Sequence, residues 1–220
     1  MNRTIESILE KIDENTLIIS DTHLGHKSIL NFEPCRGTAM RIDGFEDHDE
    51  WIIHNWNSVV GPDDVVLCLG DFAFSNVANY SNMLNGFKII VLGNHDDKPN
   101  KQKWVEGGWH VIDGFYTELH GLTFKLEHSD AMFSGFVKDL NGVRYLFSHY
   151  PVFDVDEWDR KNKMIAPRIE KFEELYTRFR CNKSVHGHIH SNVSAFEDSI
   201  NVSFEHLDFK PKRFGDLVCK

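Results

Sequence analysis

The chain has 220 residues, 41% hydrophobic and 26% charged, with 24 Lys and Arg against 34 Asp and Glu and a formal net charge of −10. A chain this long can bury roughly 70% of the surface it exposes when unfolded, so its core needs no staples, and its composition excludes a disordered protein. The acidic balance disfavours broad binding to a phosphate backbone, duplex DNA above all, although bound metal ions can reverse the local field for a phosphorylated small molecule.

The first fifteen residues carry Glu6, Glu10, Asp13 and Glu14 and no apolar region of the kind that marks a signal peptide. The best apolar run, Val65 to Leu69, falls far short of the roughly 20 residues of a spanning helix. Membrane and secreted readings therefore drop out, and a cytoplasmic protein is expected. Cys35, Cys68, Cys181 and Cys219 show neither CxxC pairing nor zinc-finger spacing and read as reduced thiols. Thr16 to Ser20, Asp64 to Leu69 and Phe87 to Leu92 are short apolar runs, as in strands buried on both faces.

Between the first two runs, Asp47 to Val60 places Trp51, Ile52, Trp56, Val59 and Val60 near helical spacing before Gly61-Pro62-Asp63 ends it. Ser75 to Leu84 reads as a shorter helix stopped by Asn85-Gly86. Strand alternating with helix makes the first half an α/β unit with largely parallel strands. Val111 to Leu126 and Gly142 to Phe147 are β-like, broken at Gly114, Gly121 and Asn141-Gly142, which predicts antiparallel strands and hairpins. Pro167 to Arg180 is an amphipathic helix carrying Ile169, Phe172, Leu175, Tyr176 and Phe179. Strand-like segments follow at Ser184–Val185 and Ile200–Phe204. With no repeat, low-complexity tract or linker, residues 1–220 read as one domain containing two sheets.

Polar residues stand directly after these apolar runs. Asp21-Thr22-His23 follows the first, Asp71 the second and Asn94-His95-Asp96 the third; His149 follows Arg144 to Ser148, and His186-Gly187-His188-Ile189-His190 follows the Ser184–Val185 run. In open α/β sheets, ligands bind just beyond the carboxyl ends of the strands. Asp21, His23, Asp71, Asn94, His149, His188 and His190 offer only oxygen and nitrogen. A single catalytic metal commonly takes three protein ligands, so seven point to two ions sharing a carboxylate. On an extended segment the side chains of D-x-H and H-x-H point the same way, which fits common ligation. The mixed His, carboxylate and amide donors suit Mn²⁺, Fe²⁺, Co²⁺, Ni²⁺ or Zn²⁺, with Mn²⁺ the first expectation.

With these blocks in place, the sequence resembles the calcineurin-like metallophosphoesterases. Their pattern of D-x-H, G-D, G-N-H-D/E, a lone His and G-H-x-H stands here as Asp21-Thr22-His23, Gly70-Asp71, Gly93-Asn94-His95-Asp96, His149 and Gly187-His188-Ile189-His190. The surrounding text looks most like the small bacterial and bacteriophage members. The resemblance implies an α/β sandwich of two mixed β-sheets flanked by α-helices. It implies one metal on Asp21, His23 and His190, a second on Asn94, His149 and His188, and Asp71 bridging them. A hydroxide shared by the ions would attack phosphorus in a phosphomonoester or phosphodiester of a small substrate, a nucleotide among the candidates. His95, the catalytic residue, would sit beside the metals without ligating them, protonating the leaving oxygen or stabilising its charge, and Asp96 would orient His95 or close the turn.

Departures narrow the resemblance. The Ser/Thr protein phosphatases of this superfamily carry G-D-x-V-D-R-G, but Gly70-Asp71-Phe72-Ala73-Phe74 lacks their second Asp and their Arg. Asp21-Thr22-His23-Leu24-Gly25 is similar to the family's DNA repair nucleases, which add a capping domain that 220 residues barely accommodate. A single-strand nuclease and a scaffold without turnover remain the alternative readings. A scaffold would be expected to lose Asp71, Asn94 or His95, all of them retained. Around the site, His26 is a candidate phosphate contact or helix-start hydrogen bond. Arg36 is expected in a Pro/Gly loop able to fold over the metals, where a guanidinium suits phosphate oxygens. His186 reads as supporting or core. His48, His54, His110, His120, His128 and His206 share no pattern, and Trp104, Trp109 and Phe115 read as core rather than as a base stack. Specificity is expected in the loops Lys27 to Asp47 and His128 to Leu140.

Overall fold

In the computed structural model, which describes residues 4–96, 101–119, 122–126, 133–153 and 157–218, the three apolar runs of the first half become neighbouring parallel strands. These are β1 (Leu17–Ile19), β2 (Val65–Cys68) and β3 (Phe87–Val91), joined by β4 (Trp109–Ile112), with the two-residue β11 (Lys212–Arg213) antiparallel on the outside of β1. Ile18, Ile19, Val66, Leu67, Cys68, Ile89, Ile90 and Val91 are at most 1% exposed, because both faces of this sheet are covered.

The second sheet is built from β5 (Phe115–Leu119), β6 (Leu122–Lys125), β7 (Gly135–Leu140), β8 (Val143–Ser148), β9 (Lys183–His186) and β10 (Ser199–Asn201), in the order β10-β9-β8-β7-β5-β6. The hairpin expectation holds for β5/β6 and β7/β8, but β5/β7, β8/β9 and β9/β10 run parallel, so the sheet is mixed. Alternation along β7 and β8 places Phe136, Leu140, Tyr145 and Phe147 in the core shared with the first sheet, while Val137 and Leu146 face outward.

Helices cover the outer faces. In α4 (His48–Asn57), capped by the Asp47 carboxylate accepting from the Glu50 N–H, Trp51, Ile52, Asn55 and Trp56 are buried. The predicted short helix is α5 (Val77–Asn82). The amphipathic segment forms α8 (Ala166–Arg178), with Pro167 in its first turn. Its Ile169, Phe172 and Leu175 pack with Phe115, Val137 and Leu146 on the outer face of the second sheet.

Further helices are α1 (Ile5–Leu9), α2 (Ile29–Phe32), α3 (Pro34–Ile42), α6 (Lys101–Glu106), α7 (Glu157–Lys161) and α9 (Phe214–Val218). The segment expected as a Pro/Gly loop is thus largely helical. Pro34 starts α3, where its fixed φ and missing N–H are tolerated. Only Arg36, Gly37 and Met40 of that helix are buried, too few to write an apolar stripe into the sequence. His120, His128, Cys219 and the start of the 128–140 loop lie outside the described residues. Among the described residues, no helix is long and apolar enough to cross a membrane.

Candidate metal centre

The loops after β1 and β2 continue the pairing of their strands. The N–H groups of Asp21, His23 and Leu24 donate to the carbonyls of Gly70, Asp71 and Phe72 at 3.0, 3.0 and 2.9 Å, and Phe74 N–H returns to Leu24 O at 2.9 Å. A third loop locks onto the second through Asp96. Its carboxylate accepts from the N–H groups of Asp71 and Gly93, both at 2.8 Å, and of Phe72 at 3.0 Å. Gly70 at φ +100° runs against the backbone of Gly93, an approach only a residue without a Cβ permits. Asp21, His23, Asp71, His188 and His190 all have φ between 50° and 71°. The D-x-H and H-x-H pairs are therefore not extended, contrary to expectation: left-handed turns, each costing roughly 1–2 kcal/mol for a non-glycine residue, aim their side chains inward.

The side chains converge accordingly. Asp21 Oδ1 lies 3.9 Å from His23 Nε2 and 4.0 Å from His190 Nε2, while Asp21 Oδ2 accepts from His188 N–H at 2.9 Å and Ser203 Oγ–H at 3.0 Å. Asp71 Oδ2 stands between two histidines, 3.7 Å from His23 Nε2 and 3.6 Å from His149 Nε2. On the far side, Asn94 Oδ1 is 2.9 Å from His149 Nε2 and 3.0 Å from His188 Nδ1. The outward ring nitrogens of His149, His188 and His190 are tethered. His149 Nδ1 faces Leu69 O at 2.8 Å, His188 Nε2 faces Asp159 Oδ2 at 3.0 Å, and His190 Nδ1 faces Glu205 Oε1 at 3.2 Å. Such tethers fix the tautomer and leave the opposite nitrogen as a lone pair directed into the site.

This arrangement fits divalent cations. Asp21 Oδ1 and both ring nitrogens of His23 are buried without a hydrogen-bond partner among the described residues. With both rings neutral and their other nitrogens donating to Leu69 O and Asp159, the lone pairs of His149 Nε2 and His188 Nδ1 would face the Asn94 amide oxygen, an arrangement a cation resolves. Ligand atoms of Asp21, His23 and His190 lie within 4.8 Å of one another, as do those of Asp21, Asp71 and His149. Glu33, His190 and Glu205 meet the same distance, but Arg36 already neutralises Glu205 there.

Charge is concentrated to match. Burial would raise Asp21, but the facing His190, His149 and His23 hold it below the usual carboxylate range. Burial, then the charge of Asp21, pushes Asp71 up to about 6. Burial and the neighbouring Asp71 push Asp96 up to about 7. Burial disfavours a charged His190, yet its hydrogen bond with Glu205 and the charges of Asp21 and Glu205 bring it up to about 9. Two buried carboxylates and a circle of imidazoles thus repel and compete for protons where cations would satisfy them together.

All seven expected donors are brought together by these distances around one centre. His95 stands at its mouth, exposed, its N–H donating to Asp71 Oδ1 at 2.8 Å and its ring stacked on Phe74 at 4.9 Å. Asp96, expected either to orient His95 or to close the turn, bonds to three backbone amides. Its place is the turn. His26 is half-buried at the same mouth, with Nδ1 unpartnered among the described residues.

Arg36 does not fold over the site. It is fully buried beneath it, with Nη2 and Nη1 donating to the carbonyls of Asp21 at 2.6 Å and Thr22 at 3.0 Å and Nε to Glu205 at 2.7 Å. Its guanidinium props the first motif and is not free for a phosphate. His186 is buried, bonded to Gly187 O and Ser199 Oγ, and Trp104, Trp109 and Phe115 are core. Sequence reasoning missed Asp159, Ser203 and Glu205. Asp159 follows no apolar run and Ser203 lies inside one, so only tertiary contact reveals them; Glu205 does stand directly after the strand-like Ile200–Phe204 segment, a signal that could have found it. Phe74 lay inside the quoted second motif, but its exposure could not be read there.

Residues 15–192 match the family described as Calcineurin-like phosphoesterase. Over 215 residues the chain is 25% identical to an uncharacterized protein of Methanocaldococcus jannaschii, covering 92% of this chain and 88% of the other. The gene 66 protein of Mycobacterium phage L5 is 38% identical over 109 residues, 45% of this chain and half of its own length. Among solved structures, a protein of unknown function from Aquifex aeolicus superposes with a TM-score of 0.63 at 28% identity, covering 89% of this chain and 93% of that one.

Proposed function

The chain belongs to the calcineurin-like phosphoesterase family, and from that premise we propose that it is a two-metal hydrolase of a phosphomonoester or phosphodiester bond in a small substrate. Asp21, His23 and His190 would hold one divalent ion, Asn94, His149 and His188 the other, and Asp71 would be shared. The observation that carries this reading is the placement of Asp71 Oδ2 between His23 Nε2 and His149 Nε2, at 3.7 and 3.6 Å, one histidine from each set. When bound, such a pair supplies a water of lowered pKa as nucleophile and neutralises phosphoryl charge.

The protein's own residues do the rest. Asp159, Glu205 and Leu69 O fix which nitrogen His188, His190 and His149 present. Asp96 and the backbone bonds between the first two loops hold the donors in register before substrate arrives, so little reorganisation is needed. His95 lines the mouth, where a departing ester oxygen emerges. It donates the proton that oxygen takes up, its ring fixed by the Phe74 stack and its backbone by Asp71. Mn²⁺ is the first ion to try, followed by Fe²⁺ and Zn²⁺.

Chelator-stripped protein, with each divalent metal restored in turn, should hydrolyse bis(p-nitrophenyl) phosphate or p-nitrophenyl phosphate only when a metal is present. The preferred ester identifies the bond type. His95→Ala should lower kcat by about 10²–10⁴-fold with metal content unchanged. Undiminished turnover in His95→Ala, or turnover without metal, would contradict the assignment.

A further inference from the structure

At the mouth of the metal centre, two phenylalanine rings are left in solvent: Phe74 is 44% and Phe32 71% exposed. Phe74 is not a floppy surface residue by placement. Phe74 N–H bonds to Leu24 O at 2.9 Å, and the adjoining Leu24 and Ala73 form a bridge, so the backbone that carries the ring is fixed. Its ring stacks on His95 at 4.9 Å with the planes 28° apart, and meets His26 edge-on at 4.1 Å. Phe32 lies 6.1 Å from His26 on the other side. An open groove continues outward past His26, lined by Gly25, Lys27, Asp47, His48, Ser75 and Asn76.

Resting on the phosphoesterase reading above, we infer that the exposed ring of Phe74, bordered by His26 and Phe32, is the stacking platform for a planar heteroaromatic ring, and that the small substrate is a nucleotide with its base lying there. A rigid exposed aromatic beside the reacting centre gains by stacking on a flat partner, and base–aromatic stacking tolerates any base because each has a π-face. The groove supplies what a base edge and a ribose need. Ser75 and Asn76 carry both donors and acceptors, Asp47 accepts and Lys27 donates. The net charge of −10 favours a mononucleotide over a long strand, whose many phosphates it would repel.

The test compares binding of AMP and ribose 5-phosphate, which differ only in the base, to the full-length protein loaded with Mn²⁺. AMP should bind about tenfold more tightly, in line with one stacked base. Phe74→Ala should reduce AMP to the affinity of ribose 5-phosphate, and Phe74→Trp should keep the preference. Phe32→Ala, distant from the ligands, should narrow it even if Phe74→Ala fails to hold metal. Equal affinity of the two ligands in the unmodified protein, binding of neither, or a preference that survives both alanine variants would overturn the inference. Binding separates the two claims. A base preference without hydrolysis fails the activity alone, and hydrolysis without a base preference fails the platform alone.

Discussion

Asp159 and Glu205 show how the site depends on residues that never face its centre. Each receives the outward nitrogen of a ligand histidine, His188 at 3.0 Å and His190 at 3.2 Å, and thereby sets which lone pair points inward. Carboxylates in this position typically contribute 10–100-fold to metal affinity. Asp159→Asn and Glu205→Gln are therefore each expected to weaken metal binding by about that factor, read by titrating metal into stripped protein. Unchanged affinity would mean the rings are held by packing alone. The seven donors were legible because each follows an apolar run closely enough to be assigned to a strand end. Asp159 was not, since a charged residue in a polar segment looks like any solvated one until the fold buries it, and Glu205, although it ends the Ile200–Phe204 run, belongs to none of the motif blocks.

The loops act as elements, and their glycines mark where they touch. A Cβ on Gly187 would fall on Ser20 Oγ and Asp21 Oδ2, so Gly187→Ala should displace the last motif from the first. Loss of metal binding with a folded chain is expected, checked by metal content and circular dichroism together. By contrast, Phe172 of α8 is 1% exposed in the outer cluster, away from the donors. Phe172→Ala should cost about 3–5 kcal/mol of stability, measured by denaturant unfolding, while folded protein keeps its full metal complement. The amphipathic periodicity of α8 and α4 was readable from sequence because each lays one stripe on a sheet. The parallel pairing of β8 with β9 was not, because pairing partners are set by topology and not by the local pattern. Nor was the left-handed turn at Asp21 and His23: positive φ is uncommon for any non-glycine residue, even for Asp and His, which adopt it more often than most, and the local sequence does not show the surrounding hydrogen bonds that enforce it.

Across the whole molecule, two sheets share one core and bring strand ends from both onto a single rim. Asp21, His23, Asp71 and Asn94 come from the first sheet and His149, His188 and His190 from the second. A metal pair would therefore bind across the sandwich as well as within it, and Asp71 is the group that both halves of the donor set approach. The most direct measurement is hydrolysis of the better p-nitrophenyl ester by stripped protein as Mn²⁺ is added in known equivalents, with bound metal counted at each point. Activity should keep rising until two ions are bound per chain, and Asp71→Asn should hold fewer ions and lose turnover. Full activity at one ion per chain, or an Asp71→Asn variant as active as the parent, would contradict a shared two-metal centre.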